Sequence, residues 1–322
     1  MAGYLFAVTI IYSIAYWRSM DASDMHLENA LGEYNDKVNE LEPLGESEEL
    51  LEAYVNRGCI LYMMEYRTSA MEDLATAADL IDSLETSGLV VDSGTFVKTY
   101  TSMASILFDQ DSDPVEAYDK AATRLSNLGD HSRHFDHRSI VRMCIEACEN
   151  LIDSEYPEDV EPFLDKGMSM VDGRADSWSM NRMLELLNLE GEAWNDRNDP
   201  QAAIESYAKA VDTGTELLER GALEDTEELI MSFVSKAECE QGLDLTDMYL
   251  ADMNAAITLL EQLDQFHRLD DPEVLVSLHH DVASVLMKAG RIEEAEKHLV
   301  KAMKVGIRGA EDYINMHTPG ER

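Results

Sequence analysis

Histidines and cysteines that lie close together in the sequence are the first candidates for chemistry. The stretch HSRHFDH contains His131, His134 and His137, and Cys144 and Cys148 follow it in a predicted helix. Both residue types are zinc ligands, and side chains four residues apart on a helix can share a metal ion. Seven helical residues, however, separate His137 from Cys144 by about 10 Å, too far for one tetrahedral shell. We therefore interpret these histidines as residues of an exposed turn and these cysteines as core, and we predict no metal site.

No other motif indicates catalysis or cofactor binding. The sequence lacks a phosphate loop, a dinucleotide fingerprint, a His-Glu-x-x-His zinc motif and a nucleophile elbow. With 65 Asp and Glu residues, a pair of carboxylates is not informative about acid–base catalysis. His279 and His280 are adjacent, point in two directions on a helix, and are interpreted as structural. We predict a protein that is not an enzyme and holds no cofactor.

Composition restricts the class of partner. The 322 residues include 25 Lys and Arg against 65 Asp and Glu, for a formal net charge of −40. Nucleic-acid binding is excluded, because contacts with phosphates need clustered basic residues. The acidity has two interpretations, a solvated surface in a salty cytoplasm or a surface for a basic partner. Four irregularly spaced cysteines do not indicate a disulfide framework and favour a reducing, cytoplasmic setting.

The segment Tyr4–Trp17 is apolar and carries no charge. As a helix it would span only about 21 Å, short of the roughly 30 Å hydrocarbon core of a bilayer. Three interpretations remain open: a capping helix, a marginal membrane anchor, or a start codon placed upstream of the true start at Met20. Its length and flanks disfavour the membrane, and its apolar surface would also permit self-association.

One pattern recurs six times along the chain. A small residue is followed three positions later by a large one, then by a break and an Ala-rich amphipathic stretch. The small residues, at intervals of 43 to 46, are Gly58, Ala104, Ala147, Gly191, Ala237 and Ala283. Small side chains let two antiparallel helices approach closely, so the pattern predicts six stacked helix pairs.

Helix start and stop signals agree with this pattern. Asp113, Asp199 and Asp271 each precede a proline, which is typical of a helix N-terminus, and Gly88, Gly129, Gly221 and Gly290 follow predicted helices. The predicted helices span residues 22–42, 48–65, 68–87, 93–109, 114–128, 137–153, 158–171, 175–196, 200–220, 224–241, 246–266, 273–289, 292–306 and 309–316.

The repeat resembles the tetratricopeptide repeat (TPR). Residues 50–82, 187–213 and 279–305 match its consensus of small and large residues, whereas the copies around Ala104, Ala147 and Ala237 are degenerate. The period exceeds the usual repeat of about 34 residues, as in extended subtypes. The resemblance implies an all-α, right-handed α-solenoid of about six antiparallel helix pairs, whose concave face is lined mainly by first helices and binds proteins or peptides.

The predicted organisation is a single array. It comprises an apolar segment at 1–19, an N-terminal helix at 20–46, six repeats over 47–306 (47–90, 91–130, 131–173, 174–221, 222–268 and 269–306) and a C-terminal cap at 307–322.

The repeat register predicts the residues of the concave face. The early copies present a mostly apolar set and the next two an acidic set: Cys59, Tyr62, Met63, Phe108 and Cys148, then Glu192, Asn195, Glu238 and Gln241. The predicted function is a non-catalytic scaffold or adaptor for a basic or amphipathic segment. The alternatives are a regulatory or sensor module that acts in trans and a membrane-tethered assembly factor.

Overall fold

The computed structural model describes residues 20–110, 112–125, 137–153, 159–266, 269 and 271–317, with side chains except at 20–25, 125, 139 and 308–317. Within these ranges the chain forms thirteen α-helices, one short 3-10 helix at Glu42–Leu44 and no β-strand. The predicted all-α class is confirmed.

The helices follow one another with short connections. They are α1 (Met20–Leu41), α2 (Glu48–Met63), α3 (Arg67–Thr86), α4 (Ser93–Asp109), α5 (Val115–Leu125), α6 (His137–Asp153), α7 (Glu161–Val171), α8 (Ser177–Asp196), α9 (Pro200–Glu219), α10 (Thr226–Gly242), α11 (Thr246–Gln265), α12 (Pro272–Lys288) and α13 (Ile292–His317). For α1 to α12, every bound that falls on described residues lies within three residues of the predicted one.

The C-terminal prediction is wrong. Instead of helices at 292–306 and 309–316, α13 runs without a break from Ile292 to His317. A Cβ at Gly306 would meet no atom within 4 Å, so no neighbouring segment forces the helix to end there. A glycine inside a helix costs only about 1 kcal/mol relative to alanine, which backbone hydrogen bonds on both sides can offset.

Side chains and glycines define the helix ends as the sequence predicts. Asp199 accepts a hydrogen bond from the Ala202 amide at 3.1 Å, and Asp271 accepts one from the Glu273 amide at 2.8 Å. Asp113 accepts one from the amide of Val115 at 2.9 Å. Positive φ angles follow three helices, at Gly88 (88°), Gly221 (63°) and Gly290 (76°). Gly129 lies outside the described residues.

The contacts divide the chain into two compact units, with the boundary between Lys166 and Gly167 in α7. In unit 1, α2 pairs with α3 and α4 with α5, α1 packs on α2, and α3 packs on α4. In unit 2, α8 pairs with α9, α10 with α11 and α12 with α13, while α9 contacts α10 and α11 contacts α12. Each unit thus repeats one motif, a helix pair stacked on the next.

The small residues of the repeat lie where helices cross. A Cβ at Gly58 on α2 would lie 3.0 Å from Leu74 Cγ on α3. A Cβ at Gly191 on α8 would lie 2.6 Å from the Tyr207 ring on α9. Both close approaches require the absence of a side chain, which is the role that the sequence pattern predicts for these positions.

A polar link between first and second helix recurs beside three of the small residues. The residue directly before the small one bonds to the residue sixteen positions later. The links are Arg57–Asp73 at 2.6 Å, Glu190–Ser206 at 2.7 Å and Lys236–Asp252 at 2.5 Å. The equal spacing places three helix pairs in the same register.

The N-terminal apolar segment, residues 4–17, lies outside the described residues. Among the helices that the structure describes, none is both long and apolar enough to cross a membrane.

Candidate functional site

First helices of neighbouring pairs contact each other inside each unit. In unit 1, α4 contacts both α2 and α6, and in unit 2, α10 contacts α8. Side chains joined across these contacts are 41 to 45 residues apart, close to the repeat period. All predicted site residues lie on these helices, so these contacts decide which of them share a surface.

A chain of polar contacts joins the first helices of unit 1. The Cys59 Sγ on α2 lies 3.4 Å from the Ser102 Oγ on α4. The Ser105 hydroxyl on α4 donates to Glu146 Oε1 on α6 at 2.9 Å. On α6, the Asn150 amide donates to the Ser105 hydroxyl, at 3.3 Å. These bonds hold the three helices side by side.

Tyr62 lies half-buried beside two carboxylates of this surface. Burial raises the pKa of its hydroxyl, and the negative charges of Asp109 and Glu146 raise it further. Burial also raises the pKa of Glu146, although water reaches much of its side chain. The charge of Glu146 on α6 therefore acts on the Tyr62 hydroxyl of α2.

The other predicted residues of unit 1 differ in their exposure. Met63 is exposed, and Cys59 and Phe108 are half-buried. Cys148 is fully buried, with its Sγ 3.9 Å from the Val160 carbonyl oxygen, so it cannot contact a partner and is corrected to a core residue. A register error of one residue moves a position by 100° around a helix, and Glu146 is one of the exposed carboxylates of α6.

In unit 2, asparagines of α8 bind the next first helix. The Ser232 hydroxyl on α10 donates to Asn188 Oδ1 at 2.6 Å. The Cys239 thiol on α10 donates to Asn195 Oδ1 at 3.5 Å. Asn188 is buried, whereas Asn195 is exposed. Asn195 therefore marks where the contact between α8 and α10 reaches solvent.

The four predicted residues of unit 2, Glu192, Asn195, Glu238 and Gln241, are all exposed. Burial and then the charge of Glu192 raise the pKa of the Tyr207 hydroxyl on α9, and Glu238 adds to the shift. Glu192 and Glu238, from neighbouring first helices, therefore both lie close enough to this ring to act on it.

Carboxylates with raised pKa values lie on α10 and also on the next first helix, α12. Burial raises the pKa of Glu238, and the charge of Asp281 on α12 raises it further. Burial also raises the pKa of Asp196 and of Asp281, and the neighbouring His280 partly offsets the shift of Asp281. We call Glu192, Asp196, Glu238 and Asp281 the acidic surface. Its negative potential favours a cationic ligand.

Sequence reasoning missed Glu146 and Asp281. Both lie on first helices: Glu146 of α6 acts on Tyr62 of α2, two first helices earlier, and Asp281 of α12 acts on Glu238 of the preceding first helix, α10. Asp281 follows Glu238 by 43 positions, the same interval as between Cys59 and Ser102. The sequence predicts such a pair only after one observed contact between first helices has given the interval between paired residues.

The candidate metal ligands are not assembled in the part of the chain that the structure describes, which holds no group of three or more His, Cys, Asp or Glu arranged around an ion. His131 and His134 lie outside the described residues. Burial and then the neighbouring Cys144 raise the pKa of Cys148 well above its usual value, which disfavours the thiolate that metals bind.

Comparisons with known proteins identify the fold. No family model matches the chain, and no curated protein matches it. Among solved structures, the apo form of RapI aligns with a TM-score of 0.58 and 14% identity, covering 88% of this chain and 77% of that one. The C-terminal part of a TPR repeat-containing protein from Cytophaga hutchinsonii aligns with a TM-score of 0.52 and 14% identity, covering 88% of this chain and 98% of that one.

A further solved structure, aspartyl phosphate phosphatase F from Bacillus subtilis, aligns with a TM-score of 0.52 and 13% identity, covering 88% of this chain and 71% of that one. At such low identity these likenesses concern the fold alone. The chain has a TPR-like, all-α fold of repeated helix pairs.

Proposed function

We propose that this protein is a non-catalytic adaptor that binds basic segments of partner proteins on the acidic surface of unit 2. The observation that carries the proposal is that four exposed carboxylates, those of Glu192, Asp196, Glu238 and Asp281, lie on successive first helices, where the charge of Asp281 adds to burial in raising the pKa of Glu238. Two carboxylates that repel each other at a partly desolvated surface are relieved by a lysine or arginine of a partner.

Tyr62, Met63 and Phe108 of unit 1 supply an apolar contact in the same proposal. Tyr62, Met71 and Met103 each pack against a buried cluster of Ala70, Leu74 and Ile106, and flexible methionines let such a surface adapt to its ligand. Aromatic side chains supply large contact areas at low entropic cost, so this surface suits the apolar side of an amphipathic segment.

A cytoplasmic site of action completes the proposal. All four cysteines are free thiols, and three of them, Cys144, Cys148 and Cys239, are buried. Buried free thiols are typical of proteins from a reducing compartment.

The test is a binding titration with defined probes. A short amphipathic Lys/Leu peptide and its Glu/Leu counterpart are titrated at low and high salt into the full chain and its variants. We expect the Lys/Leu peptide alone to bind, and Glu238→Gln/Asp281→Asn to weaken it about tenfold, near 1.4 kcal/mol. The matched control, Glu205→Gln at an exposed position of α9, removes a charge away from the first helices. Equal affinity of all variants, or binding of both peptides, would contradict the proposal.

A separate arm tests unit 1. Native partners are captured from the source organism with the wild-type chain and with Tyr62→Ala/Phe108→Ala, and each is then measured against the purified chain. A stoichiometric partner that loses affinity for the double variant supports an apolar contact. Unchanged affinity would restrict the proposal to the acidic surface.

A further inference from the structure

The last helix, α13, carries two apolar faces. One is buried against α12 and includes Ala295 and Ala302, both about 1% exposed. The other is a stripe of exposed apolar side chains, Ile292 (51%), Val300 (45%), Met303 (59%) and Ile307 (56%). At 100° per residue these four positions fall within about 80° of the helix circumference. They lie on one face of the helix, which we call the α13 stripe.

The position of Met303 is covered by the following helix pair in the preceding second helix, whereas Ile292 and Val300 correspond to the exposed Thr246 and Asn254 of α11. Met303 corresponds, one repeat interval of 46 residues earlier, to Ile257 on α11. Ile257 is 2% exposed, and α11 packs against α12. Within the described residues no helix packs on the α13 stripe, so this apolar surface faces water.

Acidic residues lie at the start of α13, and basic residues follow them. Glu293, Glu294 and Glu296 lie in its first turns, and the twelve residues 297–308 contain four basic residues and no acidic one. In a chain with a net charge of −40 this is an unusual concentration of positive charge. Lys301 is paired with Glu261 of α11 at 2.7 Å, while Lys304 is exposed.

We propose that the α13 stripe is the interface of a symmetric homodimer, in which α13 of a second copy packs antiparallel on it about Val300. Antiparallel pairing centred on this residue places Glu296 of each copy opposite Lys304 of the other, four residues to either side of the axis. The two Val300 side chains then meet at the axis, and each Met303 packs beside the Val300 of the second copy.

The position of Glu296 favours a second copy over other occupants. By helical position Glu296 lies in the middle of the stripe, so any partner that covers the stripe must supply a cation or leave a buried carboxylate unpaired. An acidic peptide or an anionic lipid surface would be repelled by Glu293, Glu294 and Glu296. A second copy of α13 supplies the cation, because Lys304 of each copy lies opposite Glu296 of the other. A two-fold symmetric interface uses the same residues from both copies in this way.

The test is the oligomeric state of the full chain, measured by sedimentation equilibrium over a range of concentrations at physiological salt. One helix from each subunit buries a small area, so we expect a dimer with an affinity on the order of micromolar. Val300→Glu should shift the dimer to a monomer with unchanged helicity, because this side chain is already partly in water. The matched control, Val90→Glu, makes the same change at a residue that is 82% exposed in unit 1, and it should leave the dimer intact.

A charge exchange tests the antiparallel register. Glu296→Lys and Lys304→Glu should each weaken the dimer about tenfold, and the double variant, which restores opposite charges across the interface, should recover most of the affinity. A wild-type chain that remains monomeric at high concentration would overturn the proposal. A monomer that binds anionic vesicles would overturn it as well, because the stripe would then be a lipid-binding surface. A dimer that survives Val300→Glu and is lost on deletion of residues 1–19 would overturn it too, and so would a double variant as weak as the single ones.

Discussion

His279 on α12 and His298 on α13 face each other through their ring Nδ1 atoms, 3.1 Å apart. At this separation one ring donates a proton and the other accepts it, so the pair cannot hold a proton on both Nδ1 atoms. His279 is fully buried, and its Nε2 lies 3.5 Å from Glu261 of α11, which also pairs with Lys301. Three helices of unit 2 therefore meet at a titratable pair in which His279 is buried and His298 is half-buried.

This pair predicts a pH dependence of stability. Burial and then the charge of His298 lower the pKa of His279 to about 4, and burial followed by Lys301 lowers the pKa of His298. An unfolded histidine titrates near 6.5, so the unfolded chain takes up protons first as the pH falls. The stability from the neutral pair is complete above about pH 6.5 and is lost as the pH falls towards 4.

The measurement is the free energy of unfolding in urea from about pH 7.5 to about pH 4.5, for the wild type and for His279→Gln/His298→Gln. We expect the wild type to lose up to about 1.4 kcal/mol more per pH unit for each histidine. Both proteins share the same carboxylates, so the difference isolates the two histidines. Parallel curves would contradict the prediction, and equal helicity at neutral pH shows that the variant is folded.

Gly191→Ala tests how much stability is lost when one methyl group is added where two helices cross. A Cβ at this position would lie 2.6 Å from the Tyr207 ring, so Gly191→Ala should destabilise the protein by about 1–3 kcal/mol. Gly306→Ala is the control, because a Cβ there meets nothing within 4 Å and alanine is favoured in a helix by about 1 kcal/mol. Urea unfolding of both variants is the measurement, and equal signs for the two changes would contradict the packing argument.

Lys236 lies between two carboxylates of unit 2. Its Nζ is 3.0 Å from Oε1 of the fully buried Glu240 and 2.5 Å from Asp252 Oδ2. Lys236→Met should cost about 3–5 kcal/mol, because it leaves the Glu240 charge buried without its cation. Lys236→Met/Glu240→Gln should recover a large part of that loss, since no buried charge is then uncompensated. Purely additive effects in a double-mutant cycle of urea midpoints would contradict this account.

The repeat was readable from the sequence because close helix crossings demand small residues at fixed intervals. Gly58 and Gly191 carry this signal, and the caps at Asp199 and Asp271 add helix boundaries from local chemistry alone. The direction of a side chain around its helix was harder to predict, because an error of one residue in the repeat register rotates that direction by 100°. Cys148 was assigned to an open surface for that reason and is buried.

The sequence did not predict which side chains of different repeats contact each other. The effect of Asp281 on Glu238, and the link between Ser105 and Glu146, depend on how one first helix is offset against the next. A repeat period predicts that neighbours stack, and only the packed structure defines which side chains then meet.

The acidic surface predicts a conflict between binding and stability. Because the folded state raises the pKa of Glu238, this carboxylate destabilises the fold at neutral pH, and the penalty disappears as the pH falls below its unfolded value. Glu238→Gln should therefore stabilise the protein at pH 7, by less than about 1 kcal/mol since water screens an exposed side chain. The same change should weaken binding of the Lys/Leu peptide.

Glu205→Gln is again the control, because Glu205 does not belong to the acidic surface and its replacement should alter neither quantity. Urea midpoints at neutral and acidic pH give the stability change, which should vanish below about pH 4 where both carboxyl forms are neutral. A variant that is less stable than the wild type at pH 7, or one whose gain persists in acid, would show that Glu238 stabilises the fold. In that case the carboxylates of unit 2 would be structural, and the surface would have no electrostatic strain for a basic partner to relieve.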